Sequence, residues 1–369
     1  MPFILAPRPR YALHMLPYTP IILGLVWVLG LWSTVLAESS TLPNNSAKPL
    51  SQVQQVLIET LSLTERGLQD SAALQQVISD RLAQAGFTPV SDAQVPHDIT
   101  LRVKCEEQKT WAGPSKHRKG SHPSAAASRL WKGPACHFSY NQQGQPALWS
   151  WEVRTAFEDP REAAKAAGAT NAGLYALQEL QTQLAQDEFP LYLAAEWGQA
   201  ERLITLYQQA SEHVDRRRLI LQLLGPLSTP AALSTIETAT QDPALAITAI
   251  TALGEQGEVA IPSLANLLAN FEKPEPKLAA LQALGEIATH STTPALYDLF
   301  IQQLESPDPR MQAIAVRALG SLGDLRAVPP IQALNVQAWS NPSTHADMQA
   351  LREALNWSLY QLDAQASSH

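Results

Sequence analysis

The sequence predicts a small α+β N-terminal domain followed by an all-α solenoid of helical repeats, behind a leading apolar segment. Three observations carry this. Apolar residues alternate with period two around 99–105 and 136–140, Gly-terminated Ala/Leu segments recur at steps of 29, 31 and 35 residues in the second half, and residues 11–37 carry no Asp, Glu, Lys or Arg. The chain has 369 residues, 45% hydrophobic and 16% charged, with a formal charge of −8. That suits two or three domains and excludes a collagen-like or wholly disordered protein. An acidic balance with no Lys/Arg stripe on any predicted helix argues against nucleic-acid binding.

Arg8 and Arg10 precede the apolar stretch 16–37. A positive flank before such a run fits a cleaved signal peptide or a short membrane anchor. Val35 and Ala37 stand at the −3 and −1 places of a signal-peptidase site, and the absence of cysteine there excludes a lipoprotein signal. Trp27 and Trp32 suit a retained helix near the minimum spanning length, and a buried helix of a cytosolic protein is the third reading. Either of the first two exports the body, to the periplasm or anchored in the inner membrane facing it, with membrane association through residues 16–37. Residues 38–50 are Ser/Asn/Pro-rich, a linker composition. The sequon at Asn44 carries no weight, because so short a pattern recurs by chance.

Residues 51–187 read as a mixed domain. The run 53–63 is a strand or a short helix, with strand preferred. Asp70 opens a helix over about 70–85, in which Leu74, Val77, Ile78 and Leu82 keep helical spacing and Gly86 is the terminator. Residues 87–90 are extended, and Ile99, Leu101, Val103 and Cys105 form the clearest strand. Cys136, Phe138 and Tyr140 share one parity and Trp149, Trp151 and Val153 another, with turn residues at 141–146, which predicts a hairpin. Asp159-Pro160 then begins one long Ala-rich helix reaching Leu184.

Cys105 and Cys136 are the only cysteines. Both fall on the inward face of predicted strands, and neighbouring antiparallel strands bring Cα atoms to the ~4.5–5.5 Å that a disulfide accepts. In an exported protein they are expected to pair, stabilising by on the order of 3 kcal/mol; the alternative is two buried thiols. Between them lies a basic Gly/Pro/Ser-rich insertion, 108–135, with Lys109, Lys116, Arg118, Lys119, Arg129 and Lys132. It reads as a solvated loop, as a patch for anionic headgroups or an acidic partner anchored by Trp111 and Trp131, or as a metal site from His117, His122, Cys136 and His137. The last matches no standard zinc spacing.

From about 188 to 369 the chain is repetitive. Gly225, Gly254, Gly285 and Gly320 each follow a Leu, with Ala at the preceding place in three copies. Asp242-Pro243, Lys273-Pro274 and Asp308-Pro309 lie about twelve residues upstream of Gly254, Gly285 and Gly320. Asp-Pro supplies a cap and a first-turn proline, small residues let helices approach closely, and the glycine is expected to end the first helix in a left-handed turn. A second helix follows near Pro230, Pro262, Pro294 or Pro329. One such pair cannot bury its apolar face alone, so neighbours must stack.

Residues 306–330, Ser-Pro-Asp-Pro-Arg-Met-Gln-Ala-Ile-Ala-Val-Arg-Ala-Leu-Gly-Ser-Leu-Gly-Asp-Leu-Arg-Ala-Val-Pro-Pro, resemble the short HEAT repeat first grouped with phycobiliprotein lyases. Residues 242–270 are similar, with weaker copies at 213–240 and 273–305. The resemblance implies a HEAT-like α-solenoid whose members mostly bind proteins and rarely act as lyases or hydroxylases. The His-Glu pairs of the hydroxylases are absent, so no iron ligands carry over, and an exported protein would not meet the antenna proteins a lyase serves. Residues 191–209 look like a leading pair and 344–362 like a capping helix.

No nucleophile elbow, phosphate-binding Gly-rich loop or His-Glu-x-x-His is present. Glu106-Glu107 and Glu158-Asp159 are adjacent, which on a strand aims them at opposite faces. No catalytic residue, metal ligand or cofactor is assigned. The function predicted is a non-catalytic protein-binding or assembly scaffold in the cell envelope, with an unknown protein partner docking on the second helices. The alternative is a ligand-binding or enzymatic mixed domain with the repeats as a recruiting arm.

Overall fold

The computed structural model describes residues 48–107, 133–142, 144–291 and 293–367. The apolar segment 16–37 with Val35 and Ala37, and the insertion as far as Lys132, lie outside the described residues. Among the described residues no helix is long and apolar enough to cross a membrane.

The N-terminal part is a mixed sheet covered on one face. In chain order it contains β1 (Gln55–Thr64), β2 (Gly67–Gln69), α1 (Ala72–Gln84), β3 (Thr88–Val90), β4 (Ile99–Glu106), β5 (Ala135–Gln142), β6 (Gln145–Pro146) and β7 (Trp151–Arg154). The strand order is β2-β1-β4-β5-β6, with β3 also paired to β1 and β7 to β5. β1 and β4 run parallel, so the chain has to cross over between them, and α1 makes the crossing. One parity of the strands is apolar and buried: Val56 and Ile58, Leu101 and Val103, Phe138 and Tyr140. The other carries charge, with Arg102 bonded to Glu59 at 2.7 Å and Lys104 to Glu106 at 2.6 Å. Cys105 stands directly opposite Cys136 in the β4–β5 ladder, and the two buried residues are joined as a disulfide.

The single helix expected after Asp159 is two, α2 (Pro160–Ala166) and α3 (Ala172–Gln186). Asp159 caps the first, accepting from the Arg161 and Glu162 N–H groups, and Asn171 caps the second through the Leu174 N–H. Between them Gly168 has φ +72°, a conformation incompatible with continuing a helix.

Five helix pairs and a closing helix follow. The pairs are α4 (Phe189–Glu196) with α5 (Ala200–Gln209), α6 (Val214–Leu224) with α7 (Pro230–Ala239), α8 (Ala246–Glu255) with α9 (Ile261–Asn270), α10 (Pro274–Ala288) with α11 (Pro294–Gln303), and α12 (Pro309–Leu322) with α13 (Val328–Ser340). The closing helix is α14 (Ala346–Ala366). First helices pack on first helices, α6 on α8, α8 on α10, α10 on α12 and α12 on α14.

That stacking corrects the reading of the four glycines. None is left-handed. Gly225 follows α6 in the right-handed region, and Gly254, Gly285 and Gly320 lie inside α8, α10 and α12. They are small because the next first helix is close. A Cβ on Gly254 would stand 3.0 Å from that of Ala283, and one on Gly320 2.7 Å from Ser358 Oγ and 2.9 Å from its Cα. A Cβ on Gly225 would meet the Glu255 side chain at 2.7 Å. The spacing at Gly285 is looser, with nothing nearer than 3.8 Å. The left-handed turn is made instead by Gly323, at the C-terminus of α12 with φ +71°. The Asp-Pro pairs also diverge. Asp308 caps α12 with Pro309 at its first position, but Asp242-Pro243 makes a turn three residues ahead of α8, where Asp242 accepts from the Ala244 N–H.

The sheet and the array share one core. Phe189 of α4 packs on Phe138 of β5, and Trp197 meets both Phe87 and Tyr140 edge-on. Arg202 of α5 donates to the Ala85 carbonyl at 3.0 Å and to Gln54 Oε1 at 2.8 Å, with its guanidinium 3.8 Å above the Phe87 ring. Arg81 of α1 donates to the Asp187 carbonyl and to Glu188, which also pairs with Arg216 of α6. Burial pushes the Asp187 carboxyl up, opposed by the Phe189 N–H and Trp151 Nε1–H that it accepts. Burial and the neighbouring Glu196 push the Tyr140 phenol up to about 12.

Candidate binding surface

The second helices form a layer with a composition of its own. α7, α9, α11 and α13 contain no Lys or Arg, and Glu237 and Asp298 are their only acids. Their exposed positions include Ser234 and Thr238, Asn266 and Asn270, Asp298 and Gln302, and Gln332 and Gln337, with Val336 and Trp339 as exposed apolar residues on α13. Amides and hydroxyls can hydrogen-bond a partner and lose less on desolvation than a field of Lys and Glu, the residues depleted in interface cores.

Most cations of the array are used internally. Arg217 bonds Asp242 at 3.1 Å and Tyr207 Oη at 2.7 Å, so it ties α6 to the next pair and to the preceding one. Arg218 holds Asp215, Arg310 holds Asp308 and Arg326 holds Asp324. Arg352 donates to the Ala338 and Asn341 carbonyls. The Arg310 guanidinium holds the Asp308 carboxyl below its ordinary range, and Arg326 does the same for Asp324. Glu272, Glu275, Glu286, Asp298 and Glu305 are exposed and make no ion pair among the described residues. The excess acid of the array therefore faces solvent, while most of its arginines are held by acids or carbonyls of the array, even where they are exposed, as Arg310 and Arg326 are.

Two clefts open on the edge where one pair hands over to the next. The first, about 550 Å³, lies between the α7–α8 and α9–α10 connections; Pro243, Ile247 and Phe271 give it an apolar floor and Glu272 and Glu275 stand on its rim. Ile247 is 46% exposed. The second, about 610 Å³, lies between the end of α11 and α13, with Leu304, Leu334 and Met348 on the floor and Glu305 and Gln337 above them. A third cleft of about 500 Å³ follows the seam between sheet and array and contains Arg202, whose guanidinium is already bonded.

Residues 261–338 match the family model for HEAT repeats, spanning α9 to α13. These residues are HEAT repeats. The helix pairs on either side extend the same stacking, so the HEAT segment sits within a longer array. No curated protein matches the chain. Among solved structures it is similar to two crystal structures of engineered proteins, each at 16% identity and a TM-score of 0.33. One is covered over 98% of its length and 57% of this chain, the other over 58% and 55%. A likeness that slight carries neither fold nor function.

The sequence-derived site residues fall into separate groups, of which Pro243 and Pro309 line the first and second clefts. Cys105 and Cys136 staple the sheet. Gly225, Gly254, Gly285 and Gly320 line the seams between HEAT-like first helices, away from the second-helix layer. With Cys136 in a disulfide, the metal set proposed around it loses its thiolate; His117 and His122 lie outside the described residues. Among the described residues no group of three His, Cys, Asp or Glu side chains could hold a metal ion. Sequence reasoning missed Ile247 and Phe271, because an isolated Ile and Phe at helix ends look like core residues. It also missed Gln256, whose buried amide donates to the Leu224, Gly225 and Leu227 carbonyls of the preceding pair. Gln199 does the same to the Leu50 and Val53 carbonyls.

Proposed function

We propose that this chain is an exported, non-catalytic scaffold that binds or assembles proteins in the cell envelope through its HEAT array. The observation that carries the reading is the layer formed by α7, α9, α11 and α13, a row rich in exposed Ser, Thr, Asn and Gln, with Val336 and Trp339 exposed on α13 and no Lys or Arg, on a stacked array. Stacked repeats give a partner a long surface already ordered before contact, so little conformational entropy is lost there on binding. Arg8 and Arg10 ahead of an uncharged run, with Val35 and Ala37 at its end, support export. A buried disulfide between the only two cysteines is in keeping with an oxidising compartment. The N-terminal sheet serves as the first layer of the array, its residues 50 and 53 taking the place that a preceding pair offers to Gln256.

A photo-crosslinking residue placed at Asn266 or Gln302 in the full chain, in its native envelope, is expected to trap a discrete protein that the same probe at Arg102 on the sheet does not. Membrane fractionation of that sample separates an anchored from a released body. Trapping only from Arg102, or recovery of the whole chain in the cytosol, overturns the reading.

A further inference from the structure

We propose that the pair-junction edge of the array takes one extended, basic segment of the protein partner, seating two of its apolar side chains in the Ile247/Phe271 and Leu304/Met348 clefts. This rests on the scaffold reading and specifies the partner's chemistry.

The two clefts are related by the repeat. The first is centred on the α8/α9 pair and the second on the α12/α13 pair, two pairs along. Stacked helices lie 8–10 Å apart, so the clefts are separated by roughly 16–20 Å. An extended chain advances about 3.3 Å per residue, which places the two anchoring side chains about five to six residues apart. Each cleft has an apolar floor and an acidic rim, Glu272 and Glu275 on one and Glu305 on the other. Among the described residues Lys273 is the only cation that lines either cleft. Here too the sequence departs from the Asp-Pro pattern. Lys273 stands where Asp308 does in α12 and makes no side-chain cap; Pro274 and Pro276 follow it in the first turn, so two of the N–H groups that such a cap would serve are absent. Apolar floors supply affinity and acidic rims set the sign of the partner's flanks.

The test uses the full chain and fluorescein-labelled synthetic peptides followed by anisotropy. The reference peptide has two Leu six residues apart in a Ser/Lys background. One control moves the Leu residues to a spacing of three, a second replaces every Lys by Glu, and a third keeps the Lys residues but replaces both Leu by Ser. The reference is expected to bind at least tenfold more tightly than any control. Ile247→Glu on the protein is expected to weaken it about tenfold, and Glu272→Lys with Glu275→Lys to do so with a smaller salt dependence. Circular dichroism of each variant establishes that it is folded. Equal binding of the two Leu spacings, or equal binding of the Leu-free Lys peptide, overturns the two-cleft proposal. If Asn266 and Gln302 still trap a partner while Ile247→Glu leaves that trapping unchanged, the scaffold reading stands and the cleft proposal fails. Loss of trapping from Asn266 and Gln302 in the unsubstituted chain removes both.

Discussion

Gly320 and Gly285 occupy corresponding places in successive first helices, yet a methyl group would have opposite effects at the two. At Gly320 the added carbon meets Ser358 at its backbone, which cannot swing aside, so Gly320→Ala is expected to cost about 1–3 kcal/mol. At Gly285 the same carbon finds ordinary contact distance, and replacing a helical glycine by alanine is worth about 0.5–1 kcal/mol. Equilibrium urea unfolding of the two variants should therefore shift in opposite directions; a common sign would mean that helix propensity, not spacing, governs these sites. Asp308 makes a second prediction. Arg310 depresses its carboxyl, so the proton binds more weakly in the folded chain than in the unfolded one. Its contribution is then present above the unfolded aspartate value of ~3.9 and is lost as pH falls through the lower folded value. Asp308→Asn should destabilise at pH 7 and approach wild type as pH falls through that lower folded value. A difference that persists undiminished in acid would show that the cap geometry matters and its charge does not.

Within single elements, the hydrogen bonds that bridge layers matter as much as those that build helices. Gln256 donates from a buried position to three carbonyls just after α6; those of Leu224 and Leu227 also accept from the Leu227 and Thr229 N–H groups, while that of Gly225 accepts from Gln256. Gln256→Leu keeps the bulk and takes that donor from the Gly225 carbonyl, for an expected loss of about 1–3 kcal/mol, whereas exposed Gln302→Leu should change stability by less than about 0.5 kcal/mol. The β4–β5 disulfide acts on the unfolded chain. Closing a 31-residue separation restricts that ensemble by about 3–4 kcal/mol in the chain-entropy treatment. Unfolding in the presence of reductant should lower stability by that order without changing the folded far-ultraviolet signal. A shift under ~1 kcal/mol would assign the bond a negligible structural role.

Across the whole molecule, the described residues group into one compact unit that runs through residue 187 without a break. Phe189 and Trp197 belong to the array by sequence and to the sheet's core by position, and Arg81, Glu188 and Arg216 lash α1 to α6. A fragment ending at residue 187 would expose Phe138, Phe87 and Tyr140 together. Such a fragment is expected to be insoluble or to unfold without cooperativity, while one extended through the second pair, to residue 240, should regain a cooperative transition. Cooperative folding of the shorter fragment would establish two independent domains and remove the sheet's role as the array's first layer.

The strand alternation at 99–105, the repeat period and the pairing of the two cysteines were legible in the chain because each depends on local spacing. Period two places one face of a strand inward whatever lies beyond it, and a recurring Ala/Leu/Gly segment has to stack on its own kind. The sequence alone thereby determined the α+β start, the helical repeats and the class of scaffold they suggest. What it could not set were the distances between layers. Gly320 lies against the Ser358 backbone and Gly285 against open contact because of how α12, α14 and α10 settle on one another. Ile247 is exposed in the cleft between the α7–α8 and α9–α10 connections, and Trp197 joins the sheet because the end of α4 packs on Phe87 and Tyr140. Those outcomes come from packing between segments far apart in the chain, and only the tertiary structure decides them.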